Sequence, residues 1–269
     1  MDASRLRLCR SLLFLPASNP RAIEKARGLD ADMIVLDLED AVKPEDKAEA
    51  RRLAEAAVRD GFGGRPVAVR INAVGSPFFG DDVVAVRRMQ PDHVVLAKAE
   101  TPKQVADAAW LTAKRILAMV ETARGVIDAA AIAQATGGLV AGTNDLAADL
   151  HIPANEGRRG LSYALQRIVL AARAAGVPAF DGVYNKLDDE EGLAEQCREG
   201  RAFGFDGKSL IHPGQIATAN RIFSPAPGEV EEALRLIAAA TGGAERFEGR
   251  MIEAMHVEQA RALVAKARL

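Results

Sequence analysis

The sequence predicts a (β/α)8 TIM barrel, on three observations. Eight short, nearly continuous apolar runs alternate with eight longer amphipathic stretches, the pattern of parallel strands covered on both faces and joined by helices. The length, 269 residues, is that of one such barrel, for which ~250 residues is usual. The turn after the first run reads Pro16-Ala17-Ser18-Asn19-Pro20. It lacks the glycine fingerprint that usually opens a doubly wound sheet, the alternative architecture.

The predicted strands are 11–17, 33–40, 66–72, 93–98, 115–122, 138–145, 178–184 and 205–211. The first follows a basic segment, but its apolar run is too short for the core of a signal peptide and reads as a strand. Helical patterns fill the intervals at 20–29, 44–58, 81–89, 102–113, 125–135, 162–175, 190–200 and 213–222. The first of them has Ser18 or Asn19 as a cap and Pro20 at its opening position. Ser224-Pro225-Ala226-Pro227-Gly228 then breaks the pattern, and two further helices are read at 229–241 and 256–268. The organisation is a barrel over 1–223 with a helical extension over 224–269. That tail has no predicted core of its own and is expected to cover the barrel mouth or reach a neighbouring subunit.

Composition excludes several classes of partner. Basic and acidic residues number 35 and 37, a net charge of −2, which gives no electrostatic reason to expect nucleic acid or an anionic membrane. No apolar run approaches the ~18 residues of a membrane span. Cys9 and Cys197 are too few for a disulfide framework, so a reducing, cytoplasmic setting is expected.

In a barrel, chemistry is assembled at the C-terminal strand ends. Those ends carry Asp37, Glu39 and Asp40 from the second strand, Arg70 and Asn72 from the third, and Lys98 from the fourth. Glu121 follows from the fifth, Asn144 and Asp145 from the sixth, Asp181 from the seventh and Lys208 from the eighth. Buried charges must neutralise one another or bind something. Glu121 and Asp145, on consecutive strands, form a carboxylate pair suited to a hard divalent cation such as Mg²⁺; the alternative is ion pairing with Arg70, Lys98 or Arg124. No histidine–cysteine set has the spacing of a zinc site. Lys98 reads as an ion-paired residue rather than a Schiff-base lysine. His212 reads as packed and hydrogen-bonded, and Trp110 as packing. Tyr184 and Asn185 occupy a mouth position suited to shaping specificity.

The chain resembles a known family through Ser11-Leu12-Leu13-Phe14-Leu15-Pro16, Asp37-Leu38-Glu39-Asp40-Ala41-Val42, Arg70-Ile71-Asn72 and Lys98-Ala99-Glu100. Glu121-Thr122, Asn144-Asp145-Leu146 and Gly207-Lys208-Ser209-Leu210-Ile211-His212-Pro213 continue the match. These motifs are similar to the citrate lyase β-subunit (CitE-like) family of the HpcH/HpaI aldolase superfamily, which includes malyl-CoA and citramalyl-CoA lyases. The resemblance implies Mg²⁺ held by Glu121 and Asp145, and a substrate bound by Arg70, Glu121, Asn72, Glu39 and Asp40. Arg70, Asp37 and Glu253 are the implied catalytic residues, with Glu253 aligned to an aspartate that reaches the adjacent subunit as general acid/base. Here the family's Met-Ile-Asp-x-Pro is replaced by Met251-Ile252-Glu253-Ala254-Met255. The extra methylene moves the carboxylate, and ~1 Å of displacement can cost on the order of a hundredfold in rate.

The resemblance also implies a cytoplasmic homotrimer or hexamer. It would cleave a 3-hydroxyacyl-CoA thioester to an acyl-CoA and a 2-oxo acid, or run the Claisen-type reverse. The alternatives are a citryl-acyl-carrier lyase subunit of the CitE type and a CoA-independent, metal-dependent aldolase of 2-oxo acids. Arg21 and Lys25 on the first helix are candidates for CoA phosphates.

Overall fold

A computed structural model describes residues 3–153 and 156–267, in two compact units that divide between Asn220 and Arg221. In the first, eight parallel strands close into one barrel in sequence order. They are β1 (Ser11–Pro16), β2 (Met33–Asp37), β3 (Val67–Ile71), β4 (His93–Leu96), β5 (Ile116–Val120), β6 (Gly138–Ala141), β7 (Ala179–Asp181) and β8 (Gly207–Leu210). β8 pairs back onto β1 with Ser11 opposite Lys208, so the predicted closed barrel is the observed one.

Helix α1 (Ala3–Leu6) precedes the barrel. Around it run α2 (Pro20–Ala26), α3 (Lys47–Asp60), α4 (Phe79–Met89), α5 (Pro102–Thr112), α6 (Ala123–Ile127), α7 (Ala129–Ala135), α8 (Thr143–Asp149), α9 (Ser162–Ala174), α10 (Glu190–Phe203) and α11 (Ile216–Phe223). Of the two caps offered for α2, the chain uses Asn19, whose Oδ1 accepts from the Ala22 N–H at 3.1 Å. The predicted sixth strand is shortened. It ends at Ala141, and Thr143–Asp149 is helical, so Asn144 and Asp145 stand on the first turn of α8 rather than on a strand.

Strand alternation fixes which residues face the barrel interior, because successive side chains point to opposite faces. One buried cluster holds Leu12 and Phe14, Met33 and Val35, Ala68, Leu117 and Met119, with Val95, Val140 and Phe180. Continuing each strand by two positions in the same phase gives Asp37 after Val35, Arg70 after Ala68 and Glu121 after Met119. The apolar plug and the charged mouth are therefore consecutive layers of one pattern.

The second unit contains α12 (Pro227–Ala239), the antiparallel pair β9 (Glu245–Phe247) and β10 (Arg250–Ile252), and α13 (Ala254–Lys266). Contrary to the sequence reading, it has a small core of its own, formed by Ala233, Leu236, Phe247, Ile252 and Ala260. The unforeseen hairpin turns through Glu248 and Gly249, both at positive φ (46° and 84°). This is the two-residue turn whose twist suits a hairpin, here with glutamate in place of the usual asparagine. Among the described residues no helix is long and apolar enough to cross a membrane.

His93 opens β4 with 1% exposure, and neither ring nitrogen has a partner. Burial pushes its pKa down to about 4 from an ordinary 6.5. The folded chain refuses a proton that the unfolded chain accepts, so this contribution to stability is full above pH 6.5 and is lost as pH falls toward 4. His93→Leu should therefore gain on the wild type by on the order of 1–3 kcal/mol between neutral pH and pH 4. Urea unfolding at several pH values checks this; a constant difference between the two proteins would contradict it.

Candidate active site

Asp37 and Arg70 are register partners on adjacent strands, and both face the interior. Arg70 Nε and Nη2 donate to the two oxygens of Asp37 at 2.7 and 2.6 Å, a bidentate fork of the strong kind. Its Nη1 lies 3.1 Å from Glu39 Oε2, and the guanidinium sits 5.5 Å over the Phe14 ring. Burial works against the arginine's charge, but Asp37 and Glu39 outweigh it and hold the pKa above its usual value.

Lys98 follows β4 at φ 49°, a left-handed conformation that costs a non-glycine residue roughly 1–3 kcal/mol and clusters at functional sites. Its backbone N–H donates to Glu121 Oε1 at 2.7 Å. Its Nζ meets Glu39 at 2.8 Å, Asp145 at 3.0 Å and Asp40 at 3.6 Å. Burial lowers the ammonium pKa and these carboxylates raise it further, for a net rise. Lys98 is thus ion-paired, as read from the sequence.

Glu121 is 4% exposed. Burial pushes its carboxyl up to about 8, only partly offset by the Lys98 N–H and by Arg70, and Glu39 and Asp145 add to the rise. Glu39 is raised by the same burial, against the pull of Arg70 and Lys98. Gly142, just after β6, lies so close to Glu121 that a Cβ there would overlap its carboxylate. A cavity of about 290 Å³ opens over these groups, lined by Asp37, Asp40, Arg70, Glu121, Asn144 and Asp145 among others. The strand ends thus bring together Asp37, Glu39, Asp40, Arg70, Lys98, Glu121 and Asp145.

Other predicted positions go elsewhere. Asn72 is occupied behind the site: its amide donates to Leu38 O and Asp82, and its Oδ1 accepts from the buried Lys47. Asp181 and Lys208, read from sequence as mouth residues, form a fully buried pair at 3.0 Å with Arg158 also on Asp181. Phe180 belongs to the interior cluster, so its neighbour Asp181 points outward, against α10 at Gly200. His212 is exposed and caps the following turn, accepting from the Gly214 N–H at 3.1 Å. Trp110 is 80% exposed, not packed. Arg21 and Lys25 are exposed on α2. Glu253 is exposed in the second unit, where its N–H donates to His256 Nδ1 at 2.9 Å.

Sequence reasoning missed Lys47, Arg158 and Gly142. The lysine and arginine look like ordinary surface charges in sequence. Gly142, between an apolar run and Asn144-Asp145, was the one readable signal, since an isolated glycine at a strand end marks close backbone approach.

Comparison with known proteins places the chain. The profile of the HpcH/HpaI aldolase/citrate lyase family matches residues 10–213. A (3S)-malyl-CoA thioesterase of Cereibacter sphaeroides is 41% identical, covering 96% of this chain and 94% of its own. A mitochondrial citramalyl-CoA lyase of Rattus norvegicus is 32% identical, covering 96% and 86%. Among solved structures, CitE of Mycobacterium tuberculosis in complex with magnesium, acetoacetate and coenzyme A superposes with a TM-score of 0.83. It is 35% identical and covers 98% of this chain and all of that one.

The contact between Gly142 and Glu121 yields a direct expectation. Gly142→Ala should destabilise the protein by about 1–3 kcal/mol, as overpacking does, and Glu121→Ala in the same background should recover most of that loss. Chemical denaturation of the single and double variants measures the coupling; additive losses would show that the two residues do not press on each other.

Proposed function

The chain is a lyase of the HpcH/HpaI aldolase/citrate lyase family, and we propose that it cleaves a 3-hydroxyacyl-CoA thioester to an acyl-CoA and a 2-oxo acid with Mg²⁺. The reverse, a Claisen-type addition, uses the same site. The observation that carries this reading is one cavity whose lining sets the carboxylates Glu121 and Asp145 beside Arg70.

The residues fit a magnesium ion. Glu121 is a buried carboxyl whose charge the local cations do not compensate, since its pKa rises to about 8; a divalent cation supplies what is missing. The available donors are hard carboxylate oxygens. Among the described residues no three His, Cys, Asp or Glu side chains form a complete ligand set. Mg²⁺ typically takes one or two carboxylates and leaves its other positions to water and substrate. Bound by Glu121 and Asp145, the ion supplies Lewis-acid polarisation of a substrate oxygen.

The chain's own residues do the rest. Arg70, pinned by Asp37 and Glu39, presents a fixed positive charge to the carboxylate of the 2-oxo acid or to the enolate oxygen as negative charge develops there. Asp37 serves as the holder of that arginine rather than as a base, because both its oxygens are engaged. Asp40, with its side chain 61% exposed and held only by the longest of the Lys98 contacts, 3.6 Å, is the carboxylate most open to substrate or water. Asn72 and Lys47 support the β2–β3 loops from behind. Proton transfer to the departing carbon is assigned to Glu253, delivered by a neighbouring copy in a homotrimer or hexamer.

A second reading has a specific observation behind it, the 41% identical (3S)-malyl-CoA thioesterase. There water attacks the thioester carbonyl and releases free CoA and a 3-hydroxy acid, with the carbon chain intact. Incubation with malyl-CoA and Mg²⁺ separates the two. Carbon–carbon cleavage yields acetyl-CoA and glyoxylate; hydrolysis yields malate and a titratable CoA thiol.

Two outcomes test the metal pair. Glu121→Gln and Asp145→Asn should each lower kcat by at least ~100-fold, the scale of losing an electrostatic stabiliser, and should abolish the rise in Tm on adding Mg²⁺. Full activity of either variant in EDTA would remove the proposal.

A further inference from the structure

A second cavity of about 460 Å³ adjoins the first and shares Thr143, Asn144 and Val183 with it. Beyond that partition its walls are largely apolar, formed by Ala147, Ala148, Ile152 and Leu161. Two charged side chains also line it: Arg158 already holds Asp181 in a bidentate pair, and Lys186 is exposed to solvent. The space suits an alkyl group.

Beside this partition stands a reciprocal pair of amides. Asn185 Nδ2 donates to Asn144 Oδ1 at 2.7 Å, and Asn144 Nδ2 donates back to Asn185 Oδ1 at 3.3 Å. The pair ties the first turn of α8 to the loop after β7. Below it in sequence, Gly182 and Thr143 touch so closely that no Cβ fits between them, and that contact fixes the two loops against each other. The asparagines are both exposed, and hydrogen bonds facing water contribute little net stability. The clasp can therefore be removed without dismantling its surroundings.

We propose that Asn185, clasped to Asn144, sets the substituent length of the 2-oxo acid, and that the second cavity is the space it withholds. This rests on the lyase reading given above. There Asp145, next to Asn144 in sequence, holds the cation, so the group attached to the nearest substrate carbon is the one directed at the partition. The acyl-CoA side would enter across the barrel, over Pro16 at the end of β1 and Ala41 in the loop after β2, which line the opposite wall. With the clasp closed, a hydrogen or methyl substituent fits; with it open, a propyl chain extends between Val183 and Ala148.

The test is condensation of acetyl-CoA with glyoxylate, pyruvate, 2-oxobutyrate and 2-oxovalerate in the presence of Mg²⁺. Asn185→Ala and, independently, Asn185→Ser should raise kcat/KM for 2-oxovalerate relative to pyruvate by at least ~10-fold, the scale of one or two methylenes finding a pocket. The change should reside in KM for the oxo acid. Adding Ala148→Phe, which refills the second cavity at an exposed helix position, should return the ratio to the wild-type value. An unchanged ratio in active variants overturns the inference, and so does a shift confined to KM for acetyl-CoA, which would assign the cavity to the pantetheine arm. Absence of condensation by the wild type with every oxo acid is a different failure: it removes the lyase reading, and the inference with it.

Discussion

Carboxylates outnumber their cations at the mouth of the barrel, and the rest of the site is arranged around that imbalance. Asp37, Glu39, Asp40, Glu121 and Asp145 share Arg70 and Lys98. Arg70 is committed to Asp37 and Glu39, and Lys98 to Glu39, Asp40 and Asp145. Glu121 is left with a backbone N–H at one oxygen and an elevated pKa of about 8. Burying a carboxylate charge is costly, and the fold tolerates the group here with its pKa pushed up by that burial.

That tolerance has a structural origin in the strands. Each interior column carries apolar residues and then a charge in the same phase, so the side chains that must be dry and those that must be charged are set by one alternation. The closed hydrogen-bond ladder leaves no strand edge to shift, and the charged residues cannot spread apart to relieve repulsion. Lys98 shows the constraint locally: its left-handed backbone turns both its N–H and its ammonium toward the carboxylates at once. Gly142 shows it sterically, since it lets β6 pass within contact of Glu121.

The barrel was legible in the sequence because parallel buried strands are apolar nearly along their whole length and alternate with amphipathic helical stretches. Arg70 and Glu121 were legible as charges interrupting such runs. Face was less readable: Asp181 ends β7 yet points outward, one residue out of phase with Phe180, and Lys208, near the start of β8 rather than its end, meets it there. Asn72 lies one residue past the end of β3 and turns to Asp82, a partner on α4 that no local pattern announces. Asp145 was identified as a residue but not as part of a helix, because Gly142 ends β6 earlier than the apolar run suggests. Long-range pairs such as Arg158 with Asp181 depend on the closed fold and had no sequence signal of their own.

The central claim is that Glu121 and Asp145 together hold a divalent cation. Diffraction from crystals soaked in Mn²⁺, which shares the octahedral oxygen preference of Mg²⁺, tests it most directly. An anomalous peak is expected within coordinating distance of one oxygen from each of Glu121 and Asp145, with the Lys98 ammonium moved off Asp145. A peak at another carboxylate pair, or no peak while Lys98 still bridges Glu39 and Asp145, would contradict it.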